Sequence, residues 1–224
     1  VIYFIGETFG ICLTTASESG AFLACIPVAS VVASTLILKK KPTKQQATGI
    51  LVTLAGVLIT VFAVGSSTSF SVAGYVMLTI AVIAYALYSV FVDKAADYTG
   101  AEITFVMLAA GAVVFTIAAI IEALANGTMS TLVALPFRDM GFLGAILYQG
   151  IGCSVLAFFL SNAAISKIGV NRTSSFIGVA TVVSIIAGVL ILHEKFSAIQ
   201  AVGAVIIIAG VYIANVKTNK IAQE

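Results

Sequence analysis

SGAFLACIPVASVVASTLILKKKPTKQQATGILVTLAGVLITV, residues 19–61, and TSSFIGVATVVSIIAGVLILHEKFSAIQAVGAVIIIAGVYIAN, residues 173–215, align without a gap at a constant offset of 154, with 15 of 43 positions identical. Phe22 meets Phe176, Ser30 meets Ser184 and Ala33 meets Ala187. Leu36-Ile37-Leu38 meets Leu190-Ile191-Leu192, Lys41 meets Lys195, Gln46 meets Gln200 and Gly49 meets Gly203. Ala55-Gly56-Val57 then meets Ala209-Gly210-Val211. Apolar composition raises such a count, but it does not preserve glycines, a glutamine and a loop lysine at one offset. The chain carries an internal duplication.

Each copy is two apolar runs joined by a short polar turn, and the rest of the chain is built alike. Apolar residues make up 61% of the 224 and charged residues 9%, where a soluble domain carries about 25% charge. Eleven basic and nine acidic side chains do not make a water-soluble surface, so lipid covers much of the outside. Seven stretches approach the roughly 20 apolar residues a membrane helix needs: 18–38, 46–65, 72–92, 103–124, 141–165, 173–192 and 198–216. Residues 1–15 form an eighth, incomplete span. The runs are too long, and too uniformly apolar, for the alternating strands of a membrane barrel. The reading is an all-α polytopic membrane protein. The connection 126–140 is the longest and the main room for structure outside the membrane.

The offset also predicts missing length. A partner for the span at 72–92 falls some 82 residues before Val1, so two helices and the start of a third are expected ahead of it. The expected whole is ten spans in two five-helix units. Residues 1–65 would be the remainder of the first, 66–71 the connecting loop, 72–216 the second, and 217–224 a tail. With the Lys39–Lys44 loop in the cytoplasm, alternation also places Lys94, Lys167, Arg172, Lys217 and Lys220 inside, and only Arg138 and Lys195 outside. Nine of the 11 basic residues then obey the positive-inside rule. Units of five spans point in opposite directions, the inverted-repeat layout of alternating-access carriers.

Polar groups inside such spans are the candidate functional residues. Glu7 lies between Ile5 and Phe9. A carboxylate there needs a wet cavity, a partner or a proton; coupling by protonation, solute contact and packing all fit it. Tyr85 and Ser89 are four apart and share a helix face, suited to a small polar solute. Gln149 and Asn162 fit either a cavity or hydrogen bonds between helices. Pro27 kinks its helix, or breaks it and frees carbonyls for a site. Ser30 and Ser184 fit close packing better than hydrogen bonding across helices. Gly49 and Gly56, repeated as Gly203 and Gly210, are expected to form equivalent helix seams in the two halves. Tyr75 reads as an interface anchor, and Asp93 simply marks the end of a span. Cys12, Cys25 and Cys153 read as small core residues. No metal-ligand spacing, phosphate loop or nucleophile beside the single His is present, so neither an enzyme, a bound cofactor nor nucleic-acid binding is expected.

These features resemble the EamA-like transporters of the drug/metabolite transporter superfamily. Pro27, the turn Leu192-His-Glu-Lys-Phe-Ser197, Gln200-Ala-Val-Gly203 and Ala209-Gly210-Val211 carry the resemblance. Its first-half counterpart runs from Leu38-Lys-Lys-Lys-Pro-Thr43 through Gln46-Ala-Thr-Gly49 to Gly56. Glu194 stands where the family turn has its Glu; Lys40 takes the equivalent place in the first half, and His193 replaces the usual Gly. The resemblance implies a monomer or homodimer in the plasma (inner) membrane of a prokaryote, with the C-terminus cytoplasmic. It also implies export of amino acids or other small organic metabolites, coupled to protons or another ion. Uptake, uncoupled diffusion and a non-transporting membrane scaffold are the competing functions.

Overall fold

The computed structural model describes residues 1–63, 71–95, 97–191 and 197–215. Among them every regular element is helical. In chain order these are α1 (Ile2–Leu13), α2 (Ala16–Leu23), α3 (Ile26–Ile37), α4 (Lys44–Ala63), α5 (Val72–Lys94) and α6 (Gly100–Ala125). There follow α7 (Met129–Arg138), α8 (Met140–Leu147), a π-helical segment (Tyr148–Ala157), α9 (Phe158–Ile168), α10 (Val170–Ser174), α11 (Ile177–Ile191) and α12 (Ala198–Asn215).

Among the described residues six helical runs are long and apolar enough to cross a membrane: 18–37, 44–62, 72–94, 100–125, 140–168 and 198–215. Their outer faces carry Leu36, Leu51, Phe105 and Val205, each more than half exposed, which lipid covers at no hydrophobic cost. The expected span at 173–192 falls on α10 and α11, and its last residue lies outside the described residues. The Phe176 and Val179 N–H groups donate three residues back, to Thr173 and Phe176 carbonyls at 3.0 and 2.9 Å, which tightens the joint between α10 and α11. The connection 126–140 holds α7 with Pro136 inside it.

Pro27 sits in the first turn of α3, where its missing N–H leaves no helical bond unmade. Ala24 and Cys25, between α2 and α3, keep right-handed helical dihedrals, so the ladder is interrupted while the run continues. Thr181, its match in the repeat, lies within the unbroken α11.

The helices form two packed units. The first, residues 95–167, contains α6 to α9. Thr99 and Glu102 cap α6 reciprocally. Gly100 lies against the backbone of Ala163, where an added Cβ would stand 2.7 Å from its nitrogen.

The second unit, 2–94 with 168–215, contains α1 to α5 and α10 to α12. Its closest packing is α4 against α12. A Cβ on Gly49 would stand 2.5 Å from the Gly210 carbonyl oxygen, and one on Gly56 would stand 2.8 Å from that of Gly203. A Cβ on Gly210 or Gly203 would meet the Gly49 or Gly56 carbonyl oxygen at 2.7 or 2.9 Å. The early glycine of each helix meets the late glycine of the other, so α4 and α12 run antiparallel. The four glycines form one mutual seam, in place of the two equivalent seams expected, because the repeat-matched helices pack on each other. Val57, Ile207 and Val211 form the apolar core beside it.

Helix α1 runs antiparallel to α5. A Cβ on Gly6 would stand 2.7 Å from the Met77 carbonyl oxygen, and one on Gly10 would press on Leu78. Cys12 and Cys25 are exposed free thiols and Cys153 is partly exposed, so the expectation that they fill the core is corrected.

Candidate functional site

Antiparallel packing of α1 on α5 brings Tyr3 to Tyr85, edge to face with ring centroids 5.3 Å apart. One helical turn along α1, Glu7 Oε1 accepts a hydrogen bond from the Tyr3 hydroxyl at 2.6 Å. Tyr88 extends the cluster, its ring centroid 6.1 Å from that of Tyr85. Tyr85 is the fourteenth of 23 residues in α5, which places it roughly 20 Å along a helix of about 34 Å. Tyr3, packed beside it, therefore lies near mid-span, and Glu7 one turn from there. The sequence singled out Glu7 and Tyr85 but missed Tyr3, whose four-residue spacing from Glu7 was the available signal.

Ser89 shares the Tyr85 face but is buried, and its hydroxyl donates to the Tyr85 carbonyl at 2.9 Å. It is satisfied within its own helix. Ser30 is fully buried and its hydroxyl has no hydrogen-bond partner among the described residues; its smallness is what α3 packing uses. The Ser184 side chain lies outside the described residues, as do Glu194 and Lys195.

A cavity of about 320 Å³ opens at the Pro27 joint, between α2, α3, α4 and α11. Pro27 and its repeat match Thr181 both line it, with Thr53, Val57 and Gly178. Its wall is nearly all apolar, so it is suited to the hydrocarbon part of a solute.

In the first unit, Asn162 is fully buried and donates its amide to Thr104 Oγ1 at 2.9 Å. Thr104 in turn donates to the Gly100 carbonyl at 2.6 Å. Asn162 thus ties α9 to α6. Gln149 is exposed on the π-helical segment, where its carbonyl accepts the Ser154 hydroxyl at 2.9 Å. The five-residue reach of that bond is the π spacing.

Two further acidic residues are more engaged than the sequence suggested. Glu18 caps α2 through Thr15 and accepts the Tyr75 hydroxyl at 2.6 Å. Tyr75, stacked on Phe22 at 5.4 Å, ties α5 to α2. The Thr15-x-x-Glu18 capping spacing could have flagged it. Asp93 is buried and bonded to two other segments, where the sequence asked nothing of it.

All described basic side chains of the second unit (Lys39, Lys40, Lys41, Lys44, Lys94 and Arg172) stand at one end of its helices: the end of α3 and α5, the start of α4 and α10. Among the described residues no group of three or more His, Cys, Asp and Glu is placed to hold a metal ion.

Long apolar helices and segregated cations define an integral membrane protein. The chain belongs to the EamA-like transporter family, whose profile matches residues 1–62 and 72–216. Members of that family are transporters, not enzymes. The chain is 34% identical over 221 residues to the uncharacterized transporter YcxC of Bacillus subtilis (strain 168), covering 98% of this chain and 70% of that protein. It is 28% identical to the uncharacterized transporter YetK of the same organism, covering 95% of this chain and 63% of YetK. A solved crystal structure of another protein shares the fold with a TM-score of 0.69 at 20% identity, over 95% of this chain and 76% of that one.

Proposed function

We propose that the protein is a secondary carrier that exports a small organic metabolite, an amino acid or related compound, by alternating access between inverted repeats. The mutual glycine seam carries this reading. Helices matched by a constant sequence offset pack antiparallel and present the same glycines to each other, which is what a pseudo-two-fold axis in the membrane plane would require. On this reading the whole carrier has ten spans. Residues 1–65 belong to the first five-helix unit and 72–216 to the second. The lysine-rich end and the C-terminus face the cytoplasm of a prokaryote, and the carrier works as a monomer or homodimer.

Glu7 is the coupling site. Near mid-span its charge is costly, and Tyr3, packed on Tyr85, holds it at one position. Proton binding and release there would link a gradient to movement of the solute. Tyr85 forms part of the solute path, and Ser89, bonded to the Tyr85 carbonyl, belongs to the helix that presents it. The Pro27 cavity supplies an apolar contact.

Proteoliposomes test the proposal. Saturable exchange of a labelled amino acid or related metabolite, altered by an imposed pH gradient, is the expected result. No saturable flux across a broad panel of small solutes would contradict it and favour the scaffold reading.

A further inference from the structure

Asp93 is the penultimate residue of α5 and is 7% exposed. One carboxylate oxygen accepts the Lys40 ammonium at 2.7 Å and the other accepts the Val170 N–H, at the start of α10, at 2.9 Å. Asn171 closes the triangle by donating its side-chain amide to the Lys40 carbonyl at 3.1 Å. Three segments separated by 53, 77 and 131 residues are thus laced at one end of the unit. The backbone is shaped for it on both sides. Lys39 has φ +57°, a left-handed conformation rare outside glycine, and Gly169 has φ +80°.

Lys40 and Asp93 differ in exposure. The Asp93 side chain is 6% exposed and that of Lys40 is 56% exposed. Lys40 can withdraw into water without burying a charge, whereas Asp93 loses its only cation among the described residues. The end these groups close is the lysine-rich end. In a carrier whose two repeats move against each other, the end of α3 must part from the ends of α5 and α10 when that side opens.

We propose that Asp93 is the latch of the lysine-rich end: its bonds to Lys40 and Val170 hold that end shut, and release of Lys40 is the step that opens it. Its role in transport rests on the carrier reading above; its geometry does not.

The test uses the whole protein in sealed vesicles, with Cys12, Cys25 and Cys153 replaced by Ala. A reporter thiol at Ser34→Cys, a fully buried position on α3, is labelled by a membrane-impermeant maleimide applied from the lysine-rich side. Asp93→Asn and Lys40→Met are expected to raise the labelling rate about tenfold or more, and Lys40→Arg to leave it near the parent rate. A reporter at Ser19→Cys, buried at the opposite end, is expected to label from its own side no faster than in the parent.

Rates within about twofold of the parent for both Asp93→Asn and Lys40→Met would overturn the latch. So would equal acceleration of both reporters, since that is general loosening. If Asp93→Asn yields no monodisperse protein, Lys40→Met against Lys40→Arg decides by the same criterion. Solute exchange on the same vesicles separates the two proposals. Flux with unchanged labelling removes the latch alone. Faster labelling at Ser34→Cys with no saturable flux keeps the latch and removes the carrier.

Discussion

Glu7 and Asn162 are both polar residues within apolar helices, yet their surroundings give them different work. Glu7 is half-buried and hydrogen-bonded to Tyr3 at 2.6 Å. Glu7→Gln keeps the shape and removes the titration, so gradient-driven flux is expected to fall about tenfold or more while downhill exchange persists. Equal loss of both would assign Glu7 to solute binding, and no loss would remove it from the mechanism. Asn162 is fully buried against Thr104. Asn162→Ala is expected to cost about 1 kcal/mol, a figure typical of a buried hydrogen bond between membrane helices; a lowered thermal midpoint in detergent checks it, and an unchanged midpoint contradicts it. Glu7 and Asn162 were legible because a polar residue stands out in an apolar run. Asp93 was not, because the residues that explain it lie 53 and 77 positions away. Glu18 lay in plain view in its capping spacing, but Tyr75, its second partner, is 57 residues distant.

At the scale of elements, small residues decide which helices meet. A Cβ on Gly49 would overlap backbone atoms of α12, and backbone does not yield as a side chain does. Gly49→Val is expected to destabilise by about 3 kcal/mol or more through overpacking. Gly111 and Gly144 have nothing within 4 Å of an added Cβ, so Gly111→Ala and Gly144→Ala are expected to be near neutral. The fraction of monodisperse protein and its thermal midpoint measure the contrast; similar losses in all three variants would contradict the seam. The seven-residue spacing of glycines was readable in both copies, but their partner was not, since spacing names a face and not what covers it. The joint at Ser175–Phe176 and the π-helical segment left no comparable mark. Both depend on which carbonyl each N–H selects, and sequence composition does not fix that.

For the molecule as a whole, one unit unites helices from both copies of the duplicated sequence, with α4 of one against α12 of the other. The all-helical class and the membrane environment were legible at once, because 61% apolar composition averages over local detail. In the second unit the basic residues described all gather at one end. The central claim is that the two copies cross the bilayer in opposite senses. In a background with Cys12, Cys25 and Cys153 replaced, Lys41→Cys and Lys195→Cys, which are matched positions of the repeat, report it directly. With an impermeant thiol reagent, Lys41→Cys is predicted to label only from the cytoplasmic side and Lys195→Cys only from the opposite side. Labelling of both from the same side would contradict the account.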